Sequence, residues 1–163
     1  MKKLLCLILV TLCIFATACK TDQSEDNTSY KTDVSVSTIS EMILSKANIS
    51  TLSVADEGWV ALNIPIDLTL CEAAEVYINT TGSSDLFGVF KATSPENADK
   101  LLKEAEEYLT ELEENWMSEY LAGELPKIQN SIAQKNGLYV TFLILDDEAR
   151  DASAKEIENM LKN

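Results

Sequence analysis

The chain has 163 residues and a formal net charge of −14, because 27 acidic residues oppose 13 basic ones. This length fits a single domain, and the acidic balance argues against nucleic acid as a partner, since no basic stripe is available to replace phosphate counterions. The absence of histidine excludes Ser-His-Asp and Cys-His catalytic pairs and every metal site that needs imidazole.

Residues 1–18 have the pattern of an export leader. Lys2 and Lys3 precede an apolar run at 4–15 that is shorter than the roughly 20 residues of a membrane-spanning helix. Small residues then lead to Cys19, and this order resembles the lipobox of bacterial lipoproteins. In that family the cysteine thiol carries a diacylglyceryl group and the signal peptide is cut before it. We therefore expect a protein anchored at the outer face of the cytoplasmic membrane through acylated Cys19; the alternative is an ordinary secretory leader with an incidental cysteine.

After the anchor, residues 19–37 are polar and aperiodic, which predicts a flexible tether. A single domain is then predicted over residues 38–163. Its first helix is expected at about 38–47, where the first four residues have capping-box spacing. The pattern at 52–72 is less regular, and it predicts a mostly irregular connection in which Asp67 caps a short helical turn.

Two strands and a turn-rich loop come next. Residues 72–79 and 86–93 have the composition of strands, and the polar segment between them predicts an antiparallel hairpin. A long helix follows, because Ser94 stands at a cap position and Pro95 at the first helical position. Apolar residues then keep a helical period to about Leu121.

Gly123 and Pro126 are expected to end this helix. A second hairpin is predicted from the strands at 128–135 and 138–145, which flank the favoured two-residue turn Asn136-Gly137. The strand at 138–145 is apolar on both faces, which indicates a central strand covered on two sides. Asp146-Asp147 then opens a last helix.

The predicted fold class is α+β: an N-terminal helix, then β-β-α-β-β-α forming a four-stranded antiparallel sheet packed against two helices. We expect the two long helices on one sheet face, with the first helix and the segment after it on the other. An offset of 52 residues also aligns Phe87 with Tyr139, Phe90 with Phe142, and the cap Ser94 with Asp146. Duplication and convergence both explain this match.

These motifs together resemble a known family. They comprise the lipobox, the polar tether, the strand Asp85–Lys91, a long helix with a late Trp and Tyr, and a Gly-Leu-Tyr-Val strand that runs into Asp146-Asp147. The chain is similar to the domain-of-unknown-function 4358 family of low-GC Gram-positive lipoproteins over about residues 38–162. The resemblance implies export and lipid anchoring, and it supplies no catalytic residues.

Acidic residues offer the first candidate chemistry. One set lies along one face of the long helix (Glu104, Glu107, Glu111 and Glu114), and a second set surrounds the start of the last helix (Asp146, Asp147, Glu148 and Asp151). The first set could attract Ca²⁺ or a basic partner, but a solvated helix face explains it more simply. The second could be a general-acid/base cluster, but a helix N-terminus favours negative charge in any case. We expect no metal site and no cofactor.

Aromatic residues offer the second candidate. Trp59, Trp116 and Tyr120 could form a binding patch, and the alternative is core packing. Cys71 has an apolar context without a cationic neighbour, so we expect a small inert side chain.

The sequence favours a non-catalytic binding or assembly module that engages an envelope protein, peptide or polymer. The alternative is a hydrolase that acts on envelope polymers through carboxylates alone. A concave pocket with two carboxyl groups of raised pKa would favour the hydrolase. A shallow apolar surface or an exposed edge strand would favour the module.

Overall fold

A computed structural model describes residues 29–117, 119 and 121–163. The leader, Cys19 and Tyr120 therefore lie outside the described residues. The helices are α1 (Val36–Ala47), α2 (Glu57–Asn63), α3 (Pro95–Glu114), α4 (Leu125–Gln129) and α5 (Asp147–Leu161). The strands are β1 (Leu52–Val54), β2 (Cys71–Asn79), β3 (Leu86–Ala92), β4 (Ile132–Asn136) and β5 (Tyr139–Ile144). Within the described residues, no helix is long and apolar enough to cross a membrane.

The five strands form one antiparallel sheet in the order β1-β2-β3-β5-β4. The α+β class is confirmed, as are the two predicted hairpins. The predicted count of four strands is wrong, because β1 adds a fifth at the edge of the sheet. With three residues, β1 is too short for the alternation of apolar and polar residues that marks a strand in a sequence.

Helices cover both faces of the sheet. On one face, α3 packs against sheet side chains that include Phe90, Val140 and Phe142, and we call this cluster the α3 core. On the other face, α1 and α5 pack against sheet side chains that include Phe87 and Tyr139, and we call this cluster the α1–α5 core. The expectation that both long helices share one face is therefore wrong. Because β3 and β5 are apolar on both sides, each face needs a long helix of its own.

The internal match at an offset of 52 residues holds along the strands and at the helix caps. Phe87 and Tyr139 share the α1–α5 core, and Phe90 and Phe142 share the α3 core. The cap positions also correspond, because Ser94 and Asp146 both precede a helix. The helices that follow nevertheless pack on opposite faces, so the two halves do not repeat one packing arrangement.

The segment at 52–72, predicted to be mostly irregular, contains β1, α2, a 3₁₀ turn at Leu68–Leu70 and the start of β2. Asp56 caps α2 by accepting a hydrogen bond from the Trp59 N–H at 3.0 Å. Asp67 caps the 3₁₀ turn through the Thr69 N–H at 2.9 Å, as predicted. These elements are too short to show a recognisable hydrophobic periodicity, so only their capping residues can be identified from the sequence.

Helix α3 starts at Pro95 as predicted, but it ends at Glu114 rather than near Leu121. Pro126 does not end this helix; it lies in the first turn of α4. Because α4 occupies residues 125–129, the strand predicted from 128 begins only at Ile132. Proline suits a helix start as well as the region after a helix end, and the sequence alone does not separate the two roles.

The described part of the predicted tether packs on the domain. The Lys31 N–H donates to the Leu161 carbonyl at 2.7 Å, and the Tyr139 hydroxyl donates to the Val34 carbonyl at 2.5 Å. Helix α1 begins at Val36 with Ser35 as its cap, so the predicted start at Thr38 is wrong. The residues from 29 onward therefore belong to the folded unit.

Candidate functional site

The structure brings two of the predicted aromatic residues together. Trp59 from α2 and Trp116 from just beyond α3 line one groove of about 240 Å³. Tyr108 and Leu112 of α3 supply the rest of its apolar wall, and Ile78 lies on the sheet side. We call this surface the aromatic groove. Tyr120 lies outside the described residues, so its predicted place in the patch is untested.

Local structure fixes both tryptophans. The Asp56 cap holds the first turn of α2, which sets the position of Trp59. The Trp116 N–H donates to the Glu113 carbonyl at 3.3 Å, and its indole Nε1–H donates to the Leu121 carbonyl at 3.4 Å. Both side chains pack against the α3 core and remain half-exposed.

Tyr108 is a groove residue that lies on the predicted apolar stripe of the long helix. Its ring packs edge-on against Phe142, with 5.5 Å between ring centroids and an interplanar angle of 61°. Burial raises the pKa of Tyr108 to about 12, so the phenol keeps its proton at neutral pH. The sequence does not distinguish a groove residue from a core residue on such a helix, because both recur with the same helical period.

Exposed apolar side chains lie on the same segments as the two tryptophans. Met117, next to Trp116, is 69% exposed and lines a small apolar pocket with Leu121. Leu62, one turn after Trp59 in α2, is 87% exposed. Side chains of this size on both groove-forming segments extend the apolar surface beyond the groove itself.

A buried ion cluster, the Lys127 cluster, adjoins the groove. The Lys127 ammonium lies 2.6 Å from a carboxylate oxygen of Asp85 and 3.2 Å from one of Glu124. Ser84 donates to Glu124 through its N–H at 3.0 Å and its hydroxyl at 2.6 Å. The Ser83 hydroxyl donates to Asp85 at 2.6 Å. The cluster thus ties the loop between β2 and β3 to α4.

Electrostatics favour the charged forms of Glu124 and Lys127. The two Ser84 hydrogen bonds, together with Lys127, lower the pKa of Glu124 to about 2 against the opposing effect of burial. Burial alone would lower the pKa of Lys127, but the hydrogen bond and charge of Asp85 outweigh it and raise that pKa. The cluster could not be predicted from the sequence, because it joins two segments whose contacting residues Ser84–Glu124 and Asp85–Lys127 are 40 and 42 positions apart.

The carboxylates around the start of α5 are engaged by cations. Asp147 and Asp151 accept hydrogen bonds from the Arg150 guanidinium at 2.5 and 2.8 Å. Asp146 precedes the helix and lies 3.5 Å from the Lys127 ammonium. Glu148 is exposed in the first turn. Asp146, Asp147 and Glu148 thus lie at a helix N-terminus, where negative charge is favourable, although the Asp146 side chain makes no capping hydrogen bond.

The acidic face of α3 is largely solvated. Glu104 accepts a hydrogen bond from the Asp67 N–H at 2.9 Å, and Glu107 pairs with Lys103 at 3.2 Å. Within residues 29–117, 119 and 121–163, no group of three or more Cys, Asp or Glu side chains is placed to hold a metal ion. Cys71 is half-buried, and burial raises the pKa of its thiol to about 11.

The fold and the groove define a small α+β protein with a two-sided antiparallel sheet and a partly open aromatic surface. The family model described as "Domain of unknown function (DUF4358)" matches residues 66–145, from the segment after α2 to the end of β5. Residues 66–145 are therefore similar to that family, as the resemblance predicted, over a shorter range than the expected 38–162. The matched range contains Trp116 and the Lys127 cluster, and Trp59 precedes it. No curated protein and no solved structure gives a significant match.

Proposed function

We propose that this protein is a lipoprotein anchored at the outer face of the cytoplasmic membrane, where it works as a non-catalytic binding or assembly module. Its partner is an envelope protein, peptide or polymer. The observation that carries the proposal is the aromatic groove, in which Trp59 and Trp116 converge from segments far apart in the chain.

The chemistry of the groove suits recognition. Tryptophan and tyrosine offer large apolar surfaces with a polar tip, and they dominate the binding energy of many interfaces. Trp59 and Trp116 remain half-exposed although a fully buried core lies directly beneath them. The polar side chains of Asn79 and Ser84 line the same groove and can orient a ligand.

The neighbouring ionisable groups favour binding over catalysis. With a pKa of about 2, Glu124 has no proton to donate at neutral pH, so it is unsuited to the general-acid role in glycoside hydrolysis. The ammonium of Lys127 stays charged between Asp85 and Glu124, so it is equally unsuited as a general base.

The anchor is tested separately from the groove. We expect Cys19→Ala to abolish incorporation of radiolabelled palmitate and to release the protein from the membrane fraction. The matched control is Cys71→Ala, which should keep both the label and the location. Label retained in the Cys19→Ala variant would refute the anchor.

The groove is tested by photo-crosslinking in cells that carry the native anchor. A photoreactive amino acid at position 117 lies beside Trp116, and one at position 148 lies on α5, across the sheet. We expect a discrete adduct from position 117 that is absent from position 148. Adding Trp59→Ala should lower its yield by about tenfold or more, because an aromatic anchor is lost.

Equal adducts at positions 117 and 148 would show nonspecific labelling and would contradict a binding role for the groove. An adduct at position 117 that persists unchanged in the Trp59→Ala variant would contradict it as well. Thermal unfolding of each variant serves as the control for folding.

A further inference from the structure

We propose that the outer edge of β4 and the groove beside it take up an extended, basic peptide segment of a partner protein, which adds a sixth strand to the sheet. This surface lies on the other side of α3 from Trp59 and Tyr108. The inference does not rest on the aromatic groove.

β4 is an edge strand with free backbone groups. Among the described strands it pairs only with β5, through the two-residue turn between Asn136 and Tyr139. In such a hairpin the residue pair next to the turn, Asn136 and Tyr139, exchanges backbone hydrogen bonds, and so does every second pair after it. The N–H and C=O groups of Ala133 and Lys135 therefore point outward. The Leu138 carbonyl accepts from Ala92 of β3, which fits this alternation.

The edge is not closed by the usual devices. Among the described residues, no hydrogen bond reaches the outward backbone groups of Ala133 and Lys135. The register from Ile132 to Asn136 is continuous, without a bulge or a proline. An edge lysine often blocks pairing, but the ammonium of Lys135 is drawn over α3 into an ion pair with Asp99.

A groove of about 290 Å³ accompanies the first half of β4. Its apolar lining includes Leu109 of α3, Ile128 of α4 and Ala133 of β4. Alternate side chains of an added strand point to one face of the sheet, so an apolar side chain of the incoming segment can enter this groove while its backbone pairs with the edge.

Charge selects the occupant. Glu106 and Glu113 are exposed on the α3 rim of the groove, and the whole chain carries a net charge of −14. Lysine or arginine beside the inserted apolar residue would meet opposite charge at this rim. A second copy of this chain would bring the same negative charge and would be repelled. An extended segment that alternates apolar and basic side chains therefore fits best.

The probe is a short synthetic peptide that alternates lysine and valine, added to the full chain in detergent. Hydrogen exchange followed by NMR should slow by about tenfold or more at the amides of Ala133 and Lys135, because they acquire partners. The amide of Gln134 already bonds within the ladder and should not change. Two control peptides should give no protection: one with N-methyl groups on alternate backbone amides, and one with glutamate in place of lysine.

Protein variants test the charge argument. Glu113→Lys should weaken peptide binding by about tenfold, since it reverses a rim charge. Glu111→Lys is the matched control, because it lies on the same helix outside the groove and should change affinity by less than about twofold. Trp59→Ala should leave peptide binding unchanged, which separates this surface from the aromatic groove.

Three outcomes would overturn the proposal. The first is equal protection by the N-methylated peptide, which cannot pair as a strand. The second is equal weakening by Glu113→Lys and Glu111→Lys. The third is protection at Leu52 and Val54 of the opposite edge instead of at β4.

Discussion

The two faces of the sheet are covered in different ways. On the α1–α5 face, two long helices meet over the sheet, and Tyr77 stacks on Phe87 at 4.8 Å between ring centroids. On the α3 face, one long helix is completed by α2, α4, a 3₁₀ turn and the coil after Glu114. Short elements fit together less continuously than two helices, and the clefts between them form the aromatic groove and the β4 groove.

This difference separates stability from recognition within one small domain. The α1–α5 face hides its apolar residues beneath helix surfaces, with Ser40 and Ser153 fully buried in α1 and α5. The α3 face leaves Trp59 and Trp116 half-exposed, and the Lys127 cluster fixes the loop beside them. The comparison predicts that substitutions where the segments of the α3 face meet lower the free energy of unfolding. Removal of the buried Ser153 hydroxyl from the α1–α5 core should instead raise it.

The largest effect is expected at Lys127, the cation that joins the segments of the α3 face. Its side chain is 10% exposed, and Lys127→Ala would leave the Asp85 carboxylate, 7% exposed, without its cation. We expect the free energy of unfolding to fall by about 3 kcal/mol, measured by urea denaturation. Lys103→Ala is the control, because that side chain is 75% exposed, and it should cost less than about 0.5 kcal/mol. Equal losses in the two variants would contradict a structural role for the cluster.

The next effect concerns the packing of the α3 core. A Cβ atom at Gly88 would lie 2.5 Å from the Phe142 ring and 2.7 Å from the Phe90 ring. Gly88→Ala should therefore destabilise the protein by about 2 kcal/mol in thermal unfolding. Gly123→Ala, where a Cβ meets no atom of the described residues within 4 Å, should change stability by less than about 0.5 kcal/mol. A neutral Gly88→Ala variant would mean that the two rings can move apart freely.

Acid should weaken the α3 face through Glu124. Its pKa is about 2 in the folded protein against an ordinary value of 4.5, so its contribution to stability is complete above pH 4.5 and is lost as the pH falls toward 2. Glu124→Gln should cost about 1.5 kcal/mol at neutral pH, because hydrogen bonds to a charged group are lost. The difference from wild type should close at low pH. A difference that is constant across the titration would contradict this account.

The smallest changes in stability are expected at two serines, one on each face of the sheet. The Ser153 hydroxyl is buried in the α1–α5 core and has no hydrogen-bond partner among the described residues, so Ser153→Ala should stabilise the protein by about 0.5 kcal/mol. The Ser84 hydroxyl donates to Glu124, so Ser84→Ala should destabilise it by about 1 kcal/mol. Chemical denaturation gives both values. The same sign in both variants would remove this contrast between the faces.

Local signals in the sequence were enough to predict most elements of the sheet and the starts of the long helices. The hairpin turns at Gly137-Leu138, one residue later than the predicted Asn136-Gly137, and the positive φ of 64° at Gly137 suits the first central position of such a turn. Ser94 accepts a hydrogen bond from the Asn97 N–H, as a helix cap does. These features depend only on residues that are close together in the chain, so they can be predicted from the sequence.

Features that depend on distant residues could not be predicted. The face taken by each long helix follows from the packing of the whole sheet, and β1 forms only because β2 offers an edge. Of the proposed aromatic patch, Trp59 and Trp116 do share a groove, but Tyr108 joined them without any distinct signal. The Lys127 cluster shows the limit most clearly, since Asp85 and Lys127 are 42 positions apart.

The contact between Tyr30 and Lys162 has a mechanical consequence. The Lys31 N–H bonds to the Leu161 carbonyl and the Asn163 N–H to the Ser29 carbonyl, so the first and last described residues leave the domain side by side. A load applied at residue 29 would act first on these few backbone bonds and only later on the sheet. Tension at residue 29 would therefore break this short bridge before it strained either core, and a fusion at Asn163 would lie at the same corner of the domain.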